Sequence, residues 1–377
     1  MKTTQKHLIH IQPFAAISTA RENGGKVIRP APKNARWVKT ISPPPRDTGG
    51  PLGDGGGPLG DWGGPLGLDF ARRSIFGTKR VALGYHPDLP DRRDCPAAAV
   101  EQFMEAGRAK QHPMFSARAG APPPIPTRVH LEDHCDEFVV EDQGQIGSCT
   151  ANAVIGVVEH LLRKYTGHHL DLSRMFLYKN TRRLLGWTGD TGAYVRTTIK
   201  ALRIFGVPPE SDWPYESDLL DTEPDGFNFA YGQNYKSLKY ARVDEYGLRG
   251  PQTLDRVKKM LADGFPLAFG FPVYRSIENL ENFVIPFPTP TDVLVGGHAI
   301  MAVGYDDAVI CKGQTGPGAL IMRNSWGVEW GDHGYGFLPY RYVTDELAAD
   351  FWALHDESWL DPAAFEVRSS TAARVGT

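Results

Sequence analysis

Cys149, His298 and Asn324 are the side chains of this 377-residue chain whose types and order suit nucleophilic catalysis. A thiol attacks, an imidazole moves protons, and a carboxamide orients the imidazole. Cys149 closes the run Gln143-Gly-Gln-Ile-Gly-Ser-Cys149 and opens Thr-Ala-Asn-Ala153. Beyond it, Ala153, Val154, Val157, Val158, Leu161, Leu162 and Tyr165 have helical spacing, with Asn152, Glu159, His160 and Arg163 largely on the opposite face. A thiol at a helix N-terminus feels unpaired backbone N–H groups and the positive end of the dipole, which stabilise its thiolate. A free cysteine is more often a buried structural residue. The small neighbours Gly147 and Ser148 leave access to the sulfur and favour the nucleophile.

His298 sits behind Gly296 and Gly297 at the start of a run rich in β-branched and apolar residues, which reads as a strand through Tyr305. A lone histidine there is ordinarily a core residue. Its place about 150 residues after a candidate nucleophile changes that weighting. The apolar run Ala319–Arg323 ends at Asn324, before a turn rich in tryptophan and glycine. Asn324 either caps the strand end or accepts the Nδ1 proton of an imidazole and fixes its tautomer.

Three segments together resemble the papain family of cysteine peptidases. They are Gln143 with Gly147-Ser148-Cys149, then Gly296-Gly297-His298-Ala299, then Asn324-Ser325-Trp326-Gly327 with Trp330-Gly331. The resemblance spans roughly residues 126 to 360 and is of the bacterial and archaeal type, with Cys149-Thr-Ala-Asn-Ala153 after the turn. The paired cysteines that brace plant and animal members are not visible. The resemblance implies Cys149 as nucleophile, His298 as its ion-pair partner and general acid, and Asn324 as the group that orients His298. It implies that Trp326 shields that hydrogen bond, that Gln143 donates to the oxyanion beside the Cys149 N–H, and that Trp330 lines the leaving-group side. It sets Gly297 at the substrate groove. A weaker match places substrate backbone pairing at Gly192, with Thr191 where a preceding glycine would stand. A plain turn glycine is the alternative there.

Composition narrows the class. A hydrophobic fraction of 41% supports a real core, and a net charge of −3 favours neither nucleic acid nor an acidic membrane. The apolar stretches are too short and too interrupted for a membrane span. Of four cysteines (Cys95, Cys135, Cys149 and Cys311) three remain once Cys149 is set aside for chemistry, and an odd count argues against a disulfide framework. His130, His134 and Cys135 cluster, and a helix would put both histidines on one face, but no second Cys/His pair lies nearby in the sequence. Neither a metal nor a cofactor is expected.

Residues 1–46 carry nine Lys/Arg against the single acid Glu22, without a clean secretory signal, so cytoplasmic and exported locations both remain open. Residues 49–69 hold three Gly-Gly-Pro-Leu-Gly heptads, a flexible tether by composition, although the repeated Pro-Leu also fits multivalent docking on a protein partner. Residues 1–75 are therefore expected to be a disordered basic and repeat-bearing tail, and 366–377 a flexible C-terminus. Residues 76–125 sit where a prosegment would, with a short helix from Pro96 to Lys110 and a stiff Pro-rich linker at 121–126. They are expected to lie in or near the cleft and restrain activity. The domain proper is placed at 126–365. Helices are expected at Asp171 onward with Ser173 as cap, at Ala193–Phe205 and at Leu254–Asp263, and strands at 267–271, 298–305, 319–324 and 335–339. Helices first and antiparallel strands later give an α+β order. The resemblance makes this a papain-like two-lobed fold with the cleft between lobes. The function expected is a cysteine endopeptidase acting on polypeptide through an acyl-enzyme. The alternative is an acyl-transferase, ligase or interaction protein docked through the repeats.

Overall fold

The computed structural model describes residues 73–76, 79–91, 94, 96–99, 101, 124–132, 139–167, 169–233, 239–314 and 316–355. All fall within one compact unit, Gly56–Thr377. The basic arm, the repeats, Cys95, His134, Cys135, most of the 96–110 helix and the C-terminus lie outside the described residues. Of that helix only Pro96, Ala97–Ala99 and Glu101 are described; Pro96 bridges to Arg242 and the others are helical.

The first half is helical. Helix α1 (Cys149–Thr166) is followed by α2 (Arg174–Leu185), α3 (Val195–Phe205) and a short α4 (Gly226–Gly232). Ser173 caps α2 by accepting from the Phe176 N–H, and Gly167 and Gly186 close α1 and α2 in the left-handed conformation. The second half is a sheet with the long helix α5 (Gly250–Ala262) packed on it and a single helical turn at Arg341–Thr344. Its strands are β4 (Lys239–Arg242), β5 (Leu267–Tyr274), β6 (Leu294–Asp306), β7 (Ala319–Arg323), β8 (Tyr335–Pro339) and β9 (Ala349–His355). They run in the order β4-β9-β5-β6-β7-β8, every pairing antiparallel. Before α1, a hairpin of β1 (Arg73–Phe76) and β2 (Lys79–Val81) opens the described chain, and β3 (Arg128–His130) pairs with the far end of β6. This is the α+β, papain-like architecture expected.

β6 is central because it is long enough to serve several neighbours. Its first part lies along β5 with His298 opposite Phe271, and its last residues pair with β7 and β3. β5 and β7 are buried almost throughout, so their sequences read as apolar runs without alternation. His130 lies in β3, so the helical spacing that would align it with His134 does not apply. Among the described residues no cluster of His, Cys, Asp and Glu is placed to hold a metal.

Helix α1 departs from the amphipathic reading. Asn152, Glu159 and His160, assigned to a polar outer face, are buried. Each has a partner that the spacing does not reveal, remote in the sequence for Glu159 and His160 and one turn back for Asn152. His160 Nδ1 lies 3.1 Å from Glu132 Oε1, Glu159 Oε1 accepts from the Leu172 N–H at 2.8 Å, and Asn152 Nδ2 donates to the Ser148 carbonyl at 3.0 Å. Gly156 faces the buried Arg323, and a Cβ there would come within 2.5 Å of its guanidinium. Arg323 Nη1 and the Tyr335 hydroxyl complete the shell of Glu132, at 3.1 and 2.8 Å. Burial alone would raise Glu132, yet Arg323 and His160 hold its carboxyl below the usual range.

Glu159 behaves oppositely. Burial pushes it from 4.5 up to about 8, against the pull of the Leu172 N–H and Arg323. Between those values the folded chain keeps a proton that the unfolded chain has lost, so stability falls as pH rises through that window. Glu159→Gln keeps an acceptor for Leu172 and removes the titration. Its Tm is expected to drop less than that of the parent between about pH 5 and pH 8. Parallel Tm curves for the two proteins would refute the assignment.

Candidate active site

Cys149 is the first residue of α1, at the point where the chain leaves a tightly tied loop. The Gly147 N–H donates to both Asp190 oxygens, at 2.9 and 3.0 Å, and Tyr178 donates to Asp190 Oδ1 at 2.8 Å. Ser148 Oγ lies 2.5 Å from the Tyr215 hydroxyl, which donates to the Gln143 carbonyl at 3.0 Å. The loop that presents the sulfur is thus held by backbone and hydroxyl bonds on both sides.

Gln143 is fully buried, and its orientation is set from behind. The Ser325 hydroxyl donates to Oε1 at 2.6 Å, which turns Nε2 away. Nε2 donates to the carbonyls of Ile146 and Ala82, both at 3.0 Å.

His298 and Asn324 meet across neighbouring strands. His298 is near the start of the β5-paired part of β6, and Asn324 follows β7. His298 Nε2 lies 2.7 Å from Asn324 Oδ1, which also accepts from the Ser325 N–H at 2.8 Å. The bonded nitrogen is therefore Nε2 and not Nδ1. The ring is fixed this way by stacking on Trp326, with centroids 4.5 Å apart and planes 21° apart, and Trp330 meets Trp326 edge-on at 5.6 Å. Nδ1 is buried with no hydrogen-bond partner among the described residues. The amide of Ala299, the residue after His298, donates to the Cys149 sulfur, which brings the nucleophile to this histidine.

Residues 81–91 lie along this groove. The Ala82 N–H donates to the Gly144 carbonyl at 3.1 Å, and the Gly84 N–H donates to the Cys149 sulfur. Gly84 O accepts from Ala193 N at 2.7 Å, His86 N donates to Ala193 O at 3.0 Å, and Tyr85 N donates to Gly297 O at 3.1 Å. Tyr85 and Ala193 thus form a parallel bridge. Gly84 has no room for a side chain, since a Cβ would come within 1.8 Å of the Gly147 carbonyl oxygen. Beyond the groove Arg196 gathers the strand's carboxylates, with Asp88 at 3.1 Å and Asp94 at 3.0 Å, and donates to Leu89 O at 2.7 Å.

The backbone pairing in the groove falls on Ala193, one residue beyond Gly192. The Gly192 amide is committed to the Tyr178 hydroxyl at 2.8 Å, so the next residue faces the strand. Gly192 supplies closeness instead. Its φ is +73°, and a Cβ would come within 2.3 Å of the Gly84 oxygen. Gly297 takes part through its carbonyl. Asp190 and Tyr215 were not singled out from the sequence, and Ser325 and Ala193 were given no role there. Ser325 and Ala193 adjoin motif residues and were within reach, whereas nothing local marks Tyr215.

The electrostatics follow from coverage. Cys149 and His298 are both wholly buried. Burial pushes the thiol up to about 11, despite donation from the Ala299, Gly84 and Thr150 amides. Burial pulls His298 down to about 4, against the Asn324 hydrogen bond. With the strand in place both groups are uncharged at neutral pH, in contrast to the thiolate and ion pair expected for an open site.

Comparison with known proteins bears on these arrangements. A family model described as papain family cysteine protease matches residues 125–344. An uncharacterized peptidase C1-like protein of Acanthamoeba polyphaga mimivirus is 34% identical over 222 residues, covering 57% of this chain and 69% of that protein. Chicken cathepsin K is 27% identical over 203 residues, and the match spans only 54% of its length. The crystal structure of xylellain, a cysteine protease from Xylella fastidiosa, superposes with a TM-score of 0.57 at 32% identity, covering 73% of this chain and 96% of that one. With more than half of its length matched by the family model and its fold shared with xylellain, the chain belongs to the papain family of cysteine proteases, hydrolases acting on peptide bonds.

Proposed function

We propose that the protein is a cysteine endopeptidase working through Cys149, His298 and Asn324, and that residues 81–91 hold it latent. The observation that carries this reading is that the groove beside the sulfur already holds a polypeptide. Four groups that an extended substrate would use are taken by residues 82–86. These are Ala193 N–H and C=O, Gly297 C=O and Gln143 Nε2.

Once the strand leaves, water reaches the sulfur and the imidazole. The desolvation that separates their pKa values is relieved, and a proton can pass from Sγ to the unbonded Nδ1. The thiolate attacks a substrate carbonyl carbon. The oxyanion is held by Gln143 Nε2 and by the Cys149 N–H, one of the amides that a helix start leaves unpaired. His298 returns its proton to the amine nitrogen, the C–N bond breaks, and a thioester remains on Cys149. Water then gives a proton to Nδ1 and adds to the thioester carbon, and collapse expels the sulfur and frees the acid. Asn324 keeps Nε2 protonated and Nδ1 facing the sulfur throughout, and Trp326 keeps water from the Nε2 bond.

The restraint is tested in the full chain by Gly84→Ala. Its methyl has no place against Gly147, so the strand is expected to unseat. Peptide turnover and iodoacetamide labelling of Cys149 should both rise at least ~10-fold. A well-folded variant as latent as the parent would count against the restraint, while Cys149→Ala should abolish turnover in either background.

Labelling also depends on pH. With the strand seated, burial keeps the Cys149 thiol protonated at pH 7, so labelling of the parent should climb steadily toward pH 11. In Gly84→Ala the climb should begin at lower pH, and superimposable profiles would refute the electrostatic account. Within the Gly84→Ala chain, Gln143→Ala is expected to lower kcat by ~10²–10³. An unchanged kcat would remove Gln143 from the oxyanion site.

A further inference from the structure

The two oxyanion donors of the proposed mechanism stand at the two ends of one loop. Gln143 opens it and the Cys149 N–H closes it, so their separation depends on how those ends are held. Gln143 is tied to the sheet lobe twice. Its N–H donates to the Ser325 carbonyl at 2.8 Å, and its Oε1 accepts from the Ser325 hydroxyl at 2.6 Å. The Cys149 N–H belongs to the helical lobe. The peptide that bears it is held through the Ser148 carbonyl, which accepts from the Ala151 and Asn152 N–H groups at 2.9 and 3.1 Å and from Asn152 Nδ2 at 3.0 Å.

The Tyr215 hydroxyl joins these two ends. It donates to the Gln143 carbonyl at 3.0 Å and lies 2.5 Å from Ser148 Oγ. The direction of each proton follows from the ends of the chain, because a carbonyl only accepts and Asn152 Nδ2 only donates. Nδ2 also donates to Ser148 Oγ at 3.0 Å, so Ser148 donates to Tyr215 Oη and Tyr215 to Gln143. Neither hydroxyl rotates without breaking this chain. Burial pushes the Tyr215 phenol upward, so it stays a donor near neutral pH.

The ring is fixed in turn by the start of α2. The Arg174 guanidinium lies over it, 4.5 Å from its centroid, and pairs with Glu141 at 2.5 Å and Glu210 at 3.3 Å. Ser173 Oγ donates to the Trp213 carbonyl, two residues before Tyr215, at 2.5 Å. The Gln143 carbonyl also accepts from the Ile146 N–H at 3.2 Å. Loss of the phenol's bond therefore leaves this acceptor satisfied and loosens Gln143 without orphaning it.

We infer that Tyr215 is a positioning residue for the oxyanion site, its hydroxyl fixing Gln143 against the start of α1 so that Gln143 Nε2 and the Cys149 N–H converge on one oxygen. The inference rests on the peptidase reading above, because an oxyanion forms only if Cys149 attacks a carbonyl.

The test uses the full-length Gly84→Ala chain and two readouts. Peptide turnover passes through an oxyanion. Alkylation of Cys149 by iodoacetamide forms an S–C bond at a saturated carbon, expels iodide and passes through none. Tyr215→Phe should lower kcat by ~10- to 100-fold, with KM within ~3-fold and the labelling rate within ~2-fold of the parent. Ser148→Ala breaks the chain one bond earlier and should lower kcat with the same sparing of labelling, which decides the matter should Tyr215→Phe fail to fold. Added to Gln143→Ala, Tyr215→Phe should lower kcat by less than ~3-fold, because the donor it places is already gone. An unchanged kcat, an equal fall in kcat and labelling rate, or an undiminished loss in the Gln143→Ala background would each overturn the inference while the peptidase reading stands. Absence of any turnover in a Gly84→Ala chain whose Cys149 labels freely would overturn that reading and the inference with it.

Discussion

In the mechanism proposed above, the amide oxygen of Asn324 decides how the site works. It accepts from His298 Nε2 and from the following backbone N–H, so it cannot rotate without losing both. With Nε2 committed, the imidazole has one free nitrogen, and the stacked Trp326 ring fixes where that nitrogen points. A histidine held by one bond and one ring face has a single tautomer and a single direction, the condition for moving a proton repeatedly between sulfur and substrate nitrogen. The rest of the site is built toward that nitrogen. α1 delivers the sulfur at its first residue, Ser325 turns Gln143 so that its amide faces the groove, and the amide after His298 reaches the sulfur.

The strand of residues 81–91 changes the chemistry without touching the triad's internal bonds. It excludes water, and exclusion acts on thiol and imidazole in opposite directions, raising one and lowering the other until neither is charged near neutral pH. The same groups that would hold a substrate hold the strand, so occupancy and charge state are linked. Backbone contacts make the fit demanding. Gly84, Gly147 and Gly192 pack with no side chain between them, and the carboxylates gathered on Arg196 fasten the strand where it leaves the groove.

The arrangement proposed for the site was legible where residue type and order carry it. Cys149 at a helix start, His298 after two glycines and Asn324 after an apolar run are each local patterns, and the helices expected from Asp171, at Ala193–Phe205 and at Leu254–Asp263 announce themselves through caps and periodicity. What was not legible depends on partners far away in the chain. β4 and β9 were not expected, because a strand of four residues, as β4 is, or one buried on both faces, as β9 is, has no alternation to read. The buried faces of Asn152, Glu159 and His160 follow from Glu132, Leu172 and Ser148, of which only Ser148 is near in sequence. Ala193 rather than Gly192 faces the groove because Tyr178, fourteen residues back, claims the glycine's amide. That Nε2 rather than Nδ1 meets Asn324 depends on the rotation of the His298 ring, which no spacing encodes.

Those distant partners also explain how two lobes can hold a sulfur and an imidazole in register. Glu132 lies just beyond β3 and binds His160 from α1, Arg323 from β7 and Tyr335 from β8. α1 carries Cys149 at its start, and Arg323 directly precedes Asn324. One carboxylate therefore ties the helix of the nucleophile to the strand of the orienting amide. Buried ion pairs add little net stability over apolar packing, because desolvation consumes most of the attraction. Their effect lies in the cost of separation, since moving one member away strands the others without water, at roughly 3–5 kcal/mol for a broken buried pair. A slide of α1 against β7 would incur that penalty before it displaced Cys149 from His298. An apolar interface could slide more cheaply, and the polar network is what makes the distance across the groove stiff.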